Sequence, residues 1–326
     1  MVDVERICRT AIVPEHCAGQ RLDQTAAKLW PEFSRSRLKQ WIEAGQLQVS
    51  GATLAPKFKL HGGETLELDA EQETQVPLRP EPIPLTIVHA DSSIIVIDKP
   101  AGLVVHPGAG NAGGTLQNAL LSYDPNLAVV PRAGIVHRLD KDTSGLLMIA
   151  RTLEAHASLA AQIEAREVHR TYQAVCVGAL TGGGEINAPI GRHPKDRKRM
   201  TVREDGRPAR SVYRVRERFR AHTHIDVHLD TGRTHQIRVH MAHLRMPLVG
   251  DPVYGGRPRL PPAPSEEMIA ALRGMSRQAL HAVRLEFKHP KTGEQVVYES
   301  PLADDLVALI DVLRRDARSA SKDAHK

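Results

Sequence analysis

Hydrophobic positions along this chain change their spacing several times, and each change marks an element. Across residues 21–30, Leu22, Ala26 and Leu29 recur at helical intervals, and Pro31 stops the helix. Ser34 stands where a cap belongs for a second helix over 35–44, with Leu38, Trp41 and Ile42 inward and Gly45 at its end. Alternation then predicts short strands at 47–49 and 66–68. Residues 69–84 turn acidic and then proline-rich, with Pro77, Pro80, Pro82 and Pro84 forming a semi-rigid spacer. A domain boundary falls there, separating a small unit over 18–80 from a larger one over 85–315.

In the larger unit strands and helices mix. Ile94-Ile95-Val96-Ile97 is a β-type apolar run stopped by Lys99-Pro100. Helices are predicted over 115–121 and over 152–167, the latter with Thr152 as its cap. Strands are predicted at 171–177, 212–215, 225–229 and 236–239. In the last of these, alternation sends Ile237 and Val239 to one face and Gln236 and Arg238 to the other. Residues 257–267 form a surface loop, 306–313 a terminal helix, and the polar tail after Arg315 frays. Strands follow one another more often than they alternate with helices. That order predicts an α+β fold with a mixed, mainly antiparallel sheet flanked by helices and loops.

The break between two apolar stretches, 134–136 and 146–150, holds His137-Arg138-Leu139-Asp140-Lys141-Asp142. A turn needs only Asp142, Ser144 and Gly145; charges set against an apolar strand call for partners or a task. Read as a calcium loop starting at Asp140, the twelfth position is Arg151 where a bidentate Glu is required, so calcium is excluded. An aspartyl-phosphate phosphatase would need further acids for its magnesium, and Gly255 stands where one would help. His235, His240 and His243 have no nearby Cys or carboxylate and read as hydrogen-bonding histidines.

Composition narrows the partners. With 41% hydrophobic and 25% charged residues the chain is an ordinary globular one. It has no apolar stretch of the ~18 residues a membrane span needs. The N-terminus lacks a secretory signal, and the three cysteines form no CxxC pair, which predicts a cytoplasmic protein with reduced thiols. The net charge is +6, and between positions 192 and 220 there are 12 basic and 4 acidic residues, an excess that favours a phosphate-rich partner. On the second N-terminal helix Arg35, Arg37 and Lys39 form a basic surface that fits a solvated face and RNA binding equally.

One carboxylate in an arginine-rich setting remains. A guanidinium beside it keeps it ionised, fit to act as a nucleophile or proton acceptor. The segment Thr231-Gly232-Arg233-Thr234-His235-Gln236-Ile237-Arg238-Val239-His240 can supply that partner. Together with GIVHRLDKDTSGLLMIA and Arg170-Thr171-Tyr172-Gln173-Ala174-Val175, it resembles the three motifs of the RluA-type pseudouridine synthases. The resemblance runs from about residue 19 to 310. Arg21-Leu22-Asp23 and Ser34-Arg35-Ser36-Arg37 look like an S4 RNA-binding domain, and Gly250-Asp251-Pro252-Val253-Tyr254-Gly255-Gly256 resembles members acting on large-subunit RNA.

The resemblance implies isomerisation of uridine to pseudouridine in 23S ribosomal RNA or the precursor large subunit, at clustered uridines of the helix 69 hairpin. Asp140 would be the catalytic carboxylate, Arg238 its partner, and Tyr172 would pack on the base. Arg138 would fill the gap left by the flipped uridine, and Ile237 would contact substrate. Arg21, Arg35, Arg37 and Lys39, with Arg197, Lys198 and Arg199, would bind RNA. No metal, cofactor, membrane or obligate protein partner is implied. A non-catalytic RNA-binding factor and a synthase for another uridine are the competing readings.

Overall fold

The computed structural model describes residues 4–73, 79–108, 111–196 and 198–323. It divides into two compact units, residues 1–78 and 79–326.

The first unit is built on β1 (Val4–Ile12), α1 (Leu22–Leu29), α2 (Arg35–Glu43), β2 (Leu47–Val49) and β3 (Thr65–Glu73). Its sheet has the order β1-β3-β2, antiparallel throughout. The expected start at 18 is too late: β1 pairs along its length with β3 and belongs to the unit. The acidic part of the expected spacer is likewise strand, because β3 runs on to Glu73. Ser34 caps α2 as expected, accepting the Arg37 N–H. Leu22, Leu38, Trp41, Ile42, Leu66 and Leu68 fill the core between helices and sheet.

The second unit opens with β4 (Thr86–Ala90), β5 (Ile94–Lys99), α3 (Leu116–Tyr123), β6 (Ser144–Ala150), α4 (Leu153–Glu164) and β7 (His169–Val177). It continues through β8 (Gly184–Asn187), the small hairpin β9 (Ile190–Arg192) and β10 (Met200–Val202), β11 (Arg210–Arg218) and β12 (His222–Leu229). It ends with α5 (Gln236–His243), α6 (Glu266–Gly274), β13 (Leu280–Lys288), β14 (Gln295–Glu299) and α7 (Asp304–Asp323). The main sheet runs β4-β5-β6-β13-β7-β12-β11-β8, with β14 also on β13. Only β6 and β13 are parallel, so the expected mixed, mainly antiparallel sheet is present.

Every residue of β6 is buried, with Met148 packed in one cluster with Leu159 of α4 and Ile94 of β5 and Ile149 bridged to Ile135. The β6–β13 pairing depends on Gly145 at φ +111: a Cβ there would lie 2.4 Å from the Ala282 carbonyl oxygen. At the other end α6 and α7 close the core with Leu272, Leu306, Leu309 and Ile310.

Several local expectations are corrected. Residues 236–239 are the first turn of α5 and not a strand; all four are buried, so burial leaves no helical stripe to read. Residues 134–136 make a single bridge, Ile135 to Ile149, after a 3-10 turn. The loop at 257–267 ends early, because Ser265 caps α6. The tail after Arg315 stays helical to Asp323, with Asp316 buried against Arg220. The prolines from 80 to 84 are strapped down by neighbours: the Glu81 carboxylate accepts the Gly114 N–H, and Asn118 donates to the Arg79 carbonyl.

Candidate active site

The segment between the 3-10 turn (Pro131–Gly134) and β6 cannot be regular, and three buried donors hold its shape. The Lys99 ammonium, fully buried at the end of β5, donates to the carbonyls of Pro100, Leu103 and Lys141 at 2.7, 3.0 and 2.9 Å. Arg277 donates to the Asp142 carbonyl at 3.2 Å, and Gln278 to the Thr143 hydroxyl at 2.9 Å. Burial pushes the Lys99 pKa down to about 8, opposed by the charges of Asp142 and Asp140. His137 accepts the Met148 N–H through Nε2, and burial drops its pKa to about 3, so it works as a neutral anchor. Together these contacts present Asp140 at the mouth of a cavity.

The wall opposite is the loop after β12 and the start of α5. His235 adopts a left-handed conformation at φ 57, and the Gln236 amide gathers Thr231, Arg233, the Arg210 carbonyl and Ser211 around the helix start. That geometry throws Arg238 toward Asp140. Its Nη1 lies 3.0 Å from Asp140 Oδ2, while Nε and Nη2 grip Asp251 bidentately at 2.7 and 2.9 Å. Burial would raise the Asp251 carboxyl, but Arg238 and the N–H groups of Tyr254 and Val253 hold it below its ordinary value. Burial works against the Arg238 charge, yet its two carboxylates push its pKa upward. The Tyr254 ring lies against Arg238, 5.1 Å from guanidinium carbon to ring centre, and its hydroxyl meets His235 Nδ1 at 2.9 Å. His235 Nε2 is 4.0 Å from Asp140.

Tyr172 rises from β7 into the same cavity, 5% exposed. Burial raises its phenol pKa, with Arg170 opposing and Asp140 adding. Among the described residues nothing hydrogen-bonds its hydroxyl. The cavity, about 580 Å³, is also lined by Arg138 and Ile237.

An RNA pseudouridylate synthase family model matches residues 93–243, which span the Asp140 loop, Tyr172 and Arg238. The chain is 56% identical over 318 residues to the ribosomal large subunit pseudouridine synthase D of Xanthomonas campestris, covering 98% of this chain and 96% of that protein. It is 57% identical to the protein of the same name in Pseudomonas aeruginosa, covering 96% and 98%. For the Escherichia coli K12 protein of that name the identity is 51%, covering 96% of each. The chain belongs to the RNA pseudouridylate synthase family. Two human structures share the fold: RNA Pseudouridylate Synthase Domain Containing 4, at 23% identity and TM-score 0.54, covers 70% of this chain and 93% of that one. Domain Containing 1, at 25% identity and TM-score 0.52, covers 71% and 95%.

In this family member, Asp140, Tyr172, Arg238, Arg138 and Ile237 all meet at one cavity although they lie far apart in sequence. The basic residues expected to bind RNA have surroundings of their own. Arg21 and Arg35 converge on the buried Asp23, Lys39 pairs with Glu43, and Arg37 lies over the Trp41 ring. Those charges are therefore partly neutralised within the first unit. Arg197 lies outside the described residues. Lys198 is exposed, and Arg199 is half-buried with its guanidinium carbon 5.4 Å from the centre of the Tyr254 ring.

The excess charge of 192–220 also divides. Arg203, Arg210, Arg216 and Arg220 are taken up by carboxylates of the fold, while Arg192, Lys195 and Lys198 on the β9–β10 hairpin make no ion pair among the described residues. Sequence reasoning missed Asp251 as the second partner of Arg238, and Lys99 as the anchor of the Asp140 loop. The Gly250-Asp251-Pro252 and Lys99-Pro100 pairs were the visible signals.

Proposed function

We propose that this chain isomerises uridine to pseudouridine in 23S ribosomal RNA, at clustered uridines of the helix 69 hairpin, with Asp140 as the catalytic carboxylate. The observation that carries this reading is the Asp140–Arg238–Asp251 arrangement. Arg238 is held from behind by a buried acid, so its one free nitrogen pairs with the Asp140 carboxylate and aims it into a basic cavity. The Asp140 carboxylate oxygen attacks ribose C1′ or removes the C2′ proton. Either route breaks the C1′–N1 bond, frees the uracil to turn, and closes the C1′–C5 bond.

Tyr172, which lines the same cavity, packs on the base and assists loss of the C5 proton; C1′ takes that position on C5, and N1, freed from C1′, takes up a proton. Arg138, exposed at the cavity mouth, takes the place of the flipped base, at a cost lowest in a loop. The first unit serves as an S4-like RNA-binding domain. A surface pocket bordered by Arg21, Arg35, Lys39 and Lys57 supports that role, and a cytoplasmic setting with precursor large subunits as partner fits it.

The test is to incubate the purified protein with unmodified large-subunit RNA or precursor subunits and map pseudouridines by carbodiimide-blocked primer extension. New stops in the helix 69 loop are expected. No new stops would overturn the activity in this RNA, and stops elsewhere would overturn the site alone.

A further inference from the structure

Arg170 and Tyr172 stand two residues apart on β7, so they share one face and both border the cavity. Arg170 is only 8% exposed, and its Nε is sealed from solvent with no acceptor. Among the described residues no carboxylate or carbonyl takes a hydrogen bond from any of its nitrogens. Among the described residues the other two arginines buried as whole residues are paired, Arg238 with Asp140 and Asp251 and Arg277 with Asp305; Arg199, half-buried, also has a sealed Nε without an acceptor, but its guanidinium lies over the Tyr254 ring. A guanidinium cannot shed its proton, so an unpaired buried one is costly unless an anion arrives.

The surroundings ask for the same anion. Arg166 and Arg207 lie close enough to Arg233 on this cavity for their charges to oppose its own. Gly232 packs directly on the Arg170 fork: a Cβ there would come within 2.9 Å of Nη1. The missing side chain leaves the guanidinium open toward the cavity. Uracil is neutral and repays hydrogen bonds only; a phosphodiester repays the charge as well.

We propose that Arg170 is a phosphate-binding residue, taking the backbone linkage beside the flipped uridine and so setting the depth at which the nucleotide enters. This inference rests on the RNA substrate proposed above. Its effect belongs to binding and positioning; the proton and glycosidic chemistry stay with Asp140.

Two measurements test it. In Arg170→Met, a partnerless buried charge gives way to an apolar chain of similar length. The melting temperature of the free protein is expected to hold or rise, while RNA affinity falls about ten- to hundredfold. A melting temperature several degrees lower would make Arg170 a structural residue and overturn the proposal. The second uses hairpin RNA with a single uncharged methylphosphonate on either side of the target uridine. At one of the two linkages wild type is expected to lose about as much affinity as Arg170→Met, and the variant to lose little more. Additive losses at both linkages would overturn the phosphate assignment. Wild type that forms no pseudouridine in this RNA would overturn the substrate reading instead, and the melting comparison would still decide whether Arg170 serves the fold.

Discussion

Arg238 reaches Asp140 with a single nitrogen at 3.0 Å because its other two are committed to Asp251. The pair across the cavity is thus two members of a three-member unit, and its orientation is set from the buried side. Asp251 has no exposed side-chain surface. Breaking such a pair leaves an uncompensated charge in the interior, at about 3–5 kcal/mol.

Asp251→Asn is therefore expected to cost stability on that scale and to lower kcat strongly, since Arg238 loses its fixed aim. Chemical denaturation and single-turnover assays would check both. Unchanged kcat in a folded variant would show that Asp140 does not need Arg238 held this way.

Asp140→Asn keeps the shape of the loop and removes only the charge. Turnover is expected to vanish while RNA affinity stays within a few-fold, measured by filter binding. A large loss of affinity would make Asp140 a binding residue.

Lys99→Met leaves three partly buried carbonyls without their donor, at up to about 1–3 kcal/mol each where water cannot replace it. Lower stability and lower kcat with RNA affinity retained are the expected results. The Lys99 pKa is pushed from 10.5 down to about 8. Between those values the unfolded chain holds the proton that the folded chain has released, so this group adds stability as pH rises. Loss of the proton still leaves two N–H groups for three carbonyls. An alkaline fall in kcat centred near pH 8 is expected in wild type, without a matching fall in melting temperature.

His222 is fully buried with neither ring nitrogen partnered, and burial lowers its pKa from 6.5 to about 4. From pH 6.5 down to 4 the unfolded chain takes up a proton that the folded one refuses. Stability then falls with pH at about 1.4 kcal/mol per unit for each such group, and His224 and His137 add the same sign. His222→Leu loses no hydrogen bond and is expected to melt at a temperature less sensitive to pH across that window. Identical pH dependence in variant and wild type would refute this account.

Much of the first unit was readable because its elements are amphipathic at plain intervals: Leu22, Ala26 and Leu29, then Leu38, Trp41 and Ile42, all face one core. The motif around Asp140 was readable because charges beside an apolar strand need a reason. The start of α5 was misread, since burial on every side erases the stripe that separates a helix from a strand. The basic run at 192–220 was only partly legible for another cause: a run of arginines in sequence does not reveal which of them pair with carboxylates of the fold, as Arg203, Arg210, Arg216 and Arg220 do.

The order of residues by itself determined the family motifs, the strand-rich architecture and, through the resemblance those motifs carry, the proposal of Asp140, Tyr172 and Arg238. Those depend on residue type and local spacing, which a chain carries before it folds. Only the tertiary structure decided that Asp251 stands behind Arg238, that Lys99 pins the Asp140 loop, and that Arg170 waits without a partner. Each is a matter of which buried charge meets which, and contacts between segments tens to more than a hundred residues apart arise only when the sheet brings them together.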